Sequence, residues 1–250
     1  MVRYISNAVT IKNHKDINKP NEDYYLSDDE KGIYILVDGV SRDKVNGIYP
    51  NPSPSFLVSK IFVESVYNFL LTNFNENILD VLYEAIKVGN DEIKKYNDKV
   101  KWENDFLPGT VGIIVIIKNN KLFYAYIGDC YGLVLNGDKH IFSKCQTDKI
   151  AEHKKEFSAF EIRNVICNNE NHPYSYGVLN GDTRAMKFVN CGEINICERY
   201  KILLCSDGFS DIIKSFSGEE LYKMEIEQMV TSSNESDDKT MILIEGRTYD

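Results

Sequence analysis

The chain has 250 residues, 43% of them hydrophobic and 27% charged, and carries a formal net charge of −9. That length is ample for a packed core, and the composition is that of an ordinary globular protein. The acidic balance excludes broad nucleic-acid binding, which needs a basic footprint for phosphate backbones.

The N-terminal stretch MVRYISNAVTIKNHK lacks the apolar core of a signal peptide. The first strong element is IYILV at 33–37, a strand expected to be buried on both faces. It runs straight into Asp38 and Gly39, and a proline-rich loop follows, with Pro50, Pro52 and Pro54. From Ser55, Val58, Phe62, Val66 and Phe69 recur at helical steps, and a second helix is expected over about 76–96. TVGIIVIIKNNKLFYAYIGD then reads as a hairpin turning at KNNK. YGLVL and HIF, joined at NGD, suggest another hairpin. Residues 147–163 read as a helix, RAMKFVN and KILLC as strands, SDIIKSF and GEELYKMEIEQMV as helices, and TMILIEG as a closing strand. Strands in hairpins with grouped helices predict antiparallel sheets covered by helices, an α+β domain, rather than a doubly wound parallel sheet. No linker divides the chain, so a single domain over 1–250 is expected.

Six cysteines, at 130, 145, 167, 191, 197 and 205, form no Cys-x-x-Cys pair and imply no disulfide framework, so a reducing, cytoplasmic setting is expected. No apolar stretch approaches the length of a membrane span. The four histidines make no ligand-spaced pair for zinc, and the glycine loops of nucleotide binding are absent. What remains is a set of acids. Three apolar runs far apart in sequence each deliver an aspartate beside a glycine: Asp38–Gly39, Gly128–Asp129 and Asp207–Gly208. Glu22 and Asp23 in NED, and Asp237 and Asp238 before the last strand, add to them. Any one Asp-Gly pair is as readily a turn. Together they form an oxygen-only donor set of the kind that suits Mg²⁺ or Mn²⁺.

The order NED, VDG, GTVGIIVI, YIGDC, LLCSDGFSD and DDKT resembles the metal-dependent serine/threonine protein phosphatases of the 2C type, from about Val9 to Gly246. The resemblance implies a central sandwich of two antiparallel β-sheets flanked by α-helices on both faces. It implies that Asp38 bridges two Mn²⁺ or Mg²⁺ ions, with the Gly39 carbonyl assisting, and that Asp207 and Asp237 complete the first ion's ligands. Asp129, with Asp207, would serve a third and weaker ion. Glu22 and Asp23 would steady metal-bound water and the Asp38 loop from behind, Asp211 would lie near the site, and Thr110 would be structural. Two such cations, about 3.5–4 Å apart, would yield a hydroxide that attacks phosphorus in line, with no phosphoenzyme. The partner implied is a phosphorylated protein, with a cognate kinase behind it.

The pattern also departs from the family. The arginine that grips phosphate, four residues before the Glu of NED, is Asn18 here, followed by Lys19. Lys19 offers charge without the bidentate fork of arginine, and a solvated surface lysine is the alternative. Arg42 could replace the missing arginine from the other side of the cleft or pair with a surface acid. Val40 stands where some relatives carry a histidine acid, so no general acid is assigned. DDKT places Asp238 where the family has asparagine, an extra charge that either tightens metal binding or faces water. Residues 144–184 lie where bacterial relatives hold a flap that shapes substrate access, and their charged, loop-rich composition suits that role or an inert surface insertion. The rival readings are a phosphatase of a small phosphorylated molecule and a non-catalytic binding module on the same fold.

Overall fold

The computed structural model describes residues 2–40, 44, 47–74, 77–102, 106–196 and 199–248, and Arg42 lies outside them. The strands are β1 (Val2–Ile11), β2 (Tyr24–Asp28), β3 (Ile33–Val40), β4 (Gly109–Lys118), β5 (Lys121–Ile127), β6 (Tyr131–Leu135), β7 (Lys139–Ile141), β8 (Asn190–Asn195), β9 (Lys201–Cys205) and β10 (Lys239–Thr248). The helices are α1 (Pro54–Asn73), α2 (Ile78–Asn97), α3 (Asp148–His153), α4 (Ala159–Glu161), α5 (Ser210–Ser215), α6 (Gly218–Lys223) and α7 (Ile226–Ser232). Among the described residues the strands form two antiparallel five-stranded sheets, ordered β1-β10-β9-β6-β7 and β2-β3-β4-β5-β8.

Side-chain alternation along the strands builds three apolar layers. On β3, Ile33, Ile35 and Val37 face α1 and α2, meeting Val58, Phe62, Val66, Leu82 and Ile86. Tyr34 and Leu36 point the other way, between the sheets, against Ile202, Leu204, Ile242 and Ile244. On the far side Leu203, Cys205, Met241 and Leu243 pack under Phe209, Ile212, Leu221 and Met229, which α5, α6, α7 and the short turn before them supply. The fold is therefore the helix–sheet–sheet–helix sandwich that the resemblance implies, within the helix-covered antiparallel α+β class that the hairpins and grouped helices predict.

Local chemistry explains several elements. The β4–β5 turn at Asn119 and Asn120 takes φ of 52° and 58°, the left-handed pair that a two-residue hairpin matched to strand twist requires. Ser53 accepts from the Phe56 amide at 3.1 Å and Pro54 opens α1, so the proline-rich loop ends as a helix start. At 20 residues α1 is long and apolar enough to cross a membrane by length and composition, contrary to the expectation that nothing approaches a span. Its Val58, Phe62, Val63, Val66 and Leu70 are instead buried in the helix–sheet core.

Other expectations change. The helix expected over 147–163 is broken into α3, a 3₁₀ turn and α4, and a π turn follows at Ile162–Ile166. RAMKFVN is not a strand: Thr183–Phe188 forms a 3₁₀ helix whose start is capped by the Asp182 carboxylate accepting from the Arg184 amide. The strand follows it, as β8. GEELYKMEIEQMV divides into α6 and α7, because Glu225 and Gln228 form a new capping box at the break. Cys130, Cys145, Cys167, Cys191 and Cys205 are free thiols.

Candidate metal centre

The aspartates come from the same end of both sheets. Asp38 sits within β3, opposite Val111 of β4, with Gly39 opposite Thr110. Asp129 lies in the turn between β5 and β6, Asp207 follows β9, and Asp237 precedes β10. A cleft of about 380 Å³ is lined by Asp38, Gly39, Asp129, Asp207 and Asp237 together with Lys19. Thus residues from four separate strand ends, up to 200 positions apart in the chain, share one solvent-accessible space.

Tight backbone packing fixes the acids. A Cβ on Gly39 would lie 2.6 Å from the Glu22 carbonyl oxygen, so only glycine lets β3 pass this close to the NED segment. At Gly208 a Cβ would overlap the Asp238 carbonyl, which presses the Asp207 turn against the start of β10. The Thr110 hydroxyl donates to the Asp38 carbonyl at 2.8 Å and accepts from the Ser59 hydroxyl at 3.1 Å. The Thr110 backbone is also bridged to Leu179 in both directions at 2.9 Å. Thr110 thereby ties β3, β4, α1 and the 144–184 segment together, which is a structural role.

Glu22 and Asp23 are both buried, behind the cleft rather than in its lining. Asp23 Oδ2 accepts from the Ser206 hydroxyl at 2.9 Å, and the Ser206 hydroxyl in turn accepts from the Thr240 amide. Asp23 Oδ1 is buried with no hydrogen-bond partner. The Thr147 hydroxyl donates to Asp129 at 2.9 Å. Asp211 does not line the cleft: it accepts from the Ser233 hydroxyl at 3.0 Å and the Asn234 amide at 2.6 Å, and it opens on a separate recess beside Phe216.

For Lys19 and Asp238 the solvent-facing alternative does not hold. Lys19 is not a solvated surface lysine, since its side chain is only 11% exposed and pairs with Asp237 at 2.9 Å and Asp238 at 3.4 Å. Asp238 does not face water: it is buried and accepts from the Asn13 amide at 2.7 Å and the Glu22 amide at 3.1 Å. The sequence reading also missed Lys154, Arg163 and Tyr176, which reach the cleft from the 144–184 segment. Their only signal was the length and charge of that segment.

The electrostatics are those of anions packed without enough positive charge. Burial pushes Asp38 well above the usual carboxylate range, and the neighbouring charges of Asp23, Asp207, Asp129 and Asp237 push it further. Asp207 is raised to about 7 by burial and then by Asp129 and Asp237, although it shares a hydrogen bond with Asp38. Asp23 is raised to about 7, by burial first and by Asp238 as well, against the lowering effect of its hydroxyl donors. Burial raises Asp129 too. Asp237 alone is lowered: burial opposes its charge, but the Lys19 ammonium outweighs it.

Among the described residues no group of three or more His, Cys, Asp or Glu side chains is closed into a metal cage. The donor set nonetheless fits hard divalent cations. The cleft's acidic donors are carboxylates, one buried carboxylate oxygen behind them is unpartnered, and extra positive charge would offset the burial of Asp38 and Asp207.

Comparison with known proteins follows the same line. No curated protein sequence gives a significant match. The fold is similar to the serine/threonine phosphatase PstP/Ppp of Mycobacterium tuberculosis, with a TM-score of 0.71 and 17% identity over 97% of this chain and 98% of that one. It is similar to the PstP catalytic domain solved in complex with 2 manganese ions, with a TM-score of 0.67 and 17% identity over 99% and 100% of the two chains. PppA of Pseudomonas aeruginosa, described as a key regulatory component of T6SS, gives a TM-score of 0.66 and 15% identity over 99% and 100%. At such identities these structures speak to fold. The family model for protein phosphatase 2C matches residues 12–243, and the chain belongs to the protein phosphatase 2C family.

Proposed function

We propose that this protein hydrolyses phosphoserine and phosphothreonine monoesters in other proteins, with Mn²⁺ or Mg²⁺ held by Asp38, the Gly39 carbonyl, Asp207 and Asp237, and a further ion by Asp129. The observation that carries this reading is the convergence of four aspartates, from the ends of strands in both sheets, on one open cleft. Bound divalent cations supply Lewis acidity and lower the pKa of coordinated water. The chain itself supplies the fixed frame. Thr110 anchors the Asp38 backbone, Ser206 anchors Asp23, and Thr147 holds Asp129. Lys19 and Arg163 line the same cleft and offer positive charge to a phosphoryl group. The manganese in the PstP complex supports the choice of cation, and the family supports a phosphoprotein substrate, made in turn by a kinase. The free thiols are in keeping with a cytoplasmic setting.

The test is phosphate release from a phosphothreonine peptide with Mn²⁺, with Mg²⁺ and with chelator. Turnover is expected with cation only, and Asp207→Asn is expected to lower kcat by about 10²-fold or more. Cation-independent turnover, or none from folded protein that binds Mn²⁺, would overturn the reading.

A further inference from the structure

Lys19 lines the cleft and is also tied into its acids. Three carboxylates surround its ammonium: Asp237 at 2.9 Å, Asp238 at 3.4 Å and Glu22 at 4.0 Å. An ammonium gives up its water at this depth only where fixed anions replace it. Asp238 is such an anion. Its two oxygens are held by the Asn13 and Glu22 amides, so it cannot turn away from the lysine. The extra acid at 238 and the lysine at 19 are therefore one feature: a charge added to the frame and a cation placed against it. Asp237 is the more exposed arm of this pair, with a side chain 54% exposed on the cleft side.

We propose that Lys19 is a built-in counter-cation that occupies Asp237 when no divalent ion is bound and must cede it when one arrives. The inference rests on the cation-binding part of the proposed function. A divalent ion drawn to Asp237 meets the ammonium already on its Oδ1, and the two cations repel each other across one carboxylate. Asp238 and Glu22 remain as the resting place for the displaced ammonium, so the lysine gives up one partner and keeps two. The consequence is a site whose affinity for the cation held by Asp237 is set low by the chain itself, and whose metal-free form does not leave the Asp237 charge unbalanced. Because Lys19 also lines the cleft, ceding Asp237 turns a donor toward the side from which substrate enters.

The experiment is calorimetric titration of Mn²⁺ into the metal-stripped full chain, which needs no turnover. Lys19→Gln is expected to bind Mn²⁺ roughly tenfold more tightly than the wild type, within the usual range of coupling between two ligands of one site. Lys19→Arg, which keeps the charge, is expected to bind as the wild type does. Lys154→Gln, which removes an exposed cation from the same cleft, is expected to leave the affinity unchanged. In chelator, Lys19→Gln is expected to melt at a lower temperature than the wild type, and to show the larger rise on adding Mn²⁺. Unchanged or weaker binding by Lys19→Gln would overturn the proposal, as would equal tightening by Lys154→Gln, which would reduce the effect to net charge. Absence of Mn²⁺ binding in every variant would overturn the cation reading of the cleft as well, so the two failures are distinguishable.

Discussion

Asp38 and Asp207 share a hydrogen bond and are both raised in pKa, which means that the metal-free protein folds around acids reluctant to ionise. Asp207 and Asp23 move from the ordinary 3.8 to about 7, so each binds more proton in the folded chain than in the unfolded one. Stability from this source is fully present below 3.8 and lost as pH rises through about 7. In chelator, the melting temperature is therefore expected to fall between about pH 5 and about pH 8, by on the order of several degrees. Asp207→Asn removes part of that slope and is expected to raise the melting temperature of metal-free protein at the upper end. Differential scanning calorimetry checks this, and a melting temperature that climbs over the same interval would contradict it. Asp38, Asp129 and Asp207 were legible in sequence because each closes an apolar run beside a glycine. The Lys19–Asp237 pair was not, because 218 residues separate its members and no local pattern marks a lysine as turned inward.

At the level of elements, the site depends on how closely β3 runs beside the NED segment. Gly39→Ala puts a methyl 2.6 Å from the Glu22 carbonyl, against backbone on one side and the Ser59 hydroxyl on the other. The expected cost is about 1–3 kcal/mol of stability, as for overpacking elsewhere. Weaker Mn²⁺ binding is expected with it, because the Gly39 carbonyl and Asp38 shift together. Denaturant unfolding and metal titration of the same variant read the two effects, and a variant as stable as the wild type would show that the approach is looser than the geometry requires. Elements with dense apolar runs, such as β3, β4, β5 and α1, were legible because burial on both faces or along one stripe leaves a strong pattern. β8 was not, since it is an edge strand, mostly exposed, and the sequence NCGEIN shows no apolar alternation. The apolar residues just before it belong to a capped 3₁₀ helix, whose signal is a single aspartate at 182.

For the whole molecule, the decisive feature is that the cleft straddles two sheets, with Asp38 from one and Asp207 and Asp237 from the other. Neither sheet alone carries a complete donor set. β1 is an edge strand paired only with β10 along its length, and the turn that follows it supplies the Asn13 amide to Asp238. Deleting residues 1–11 would uncover the long edge of β10 and loosen the loop that holds Asp238. The expected outcome is a protein that self-associates in light scattering and binds Mn²⁺ more weakly. A monodisperse product with unchanged affinity would show that β1 is dispensable to the centre. Antiparallel sheets covered by helices were legible from hairpins and grouped helices, and the two-sheet sandwich from the order of the motifs, but the pairing of the first described strand with the last was not, since nothing in either segment names its distant partner.

That pairing has a consequence for how the protein is born. Thr10 and Thr240 meet at 2.8 Å across 230 positions, so the sheet containing β9 and β10 closes only once the residues up to Thr240 have left the ribosome. The earlier strands can assemble as they emerge, since β2 to β5 pair in a simple meander. Asp237 arrives last, and with it the final aspartate of the cleft.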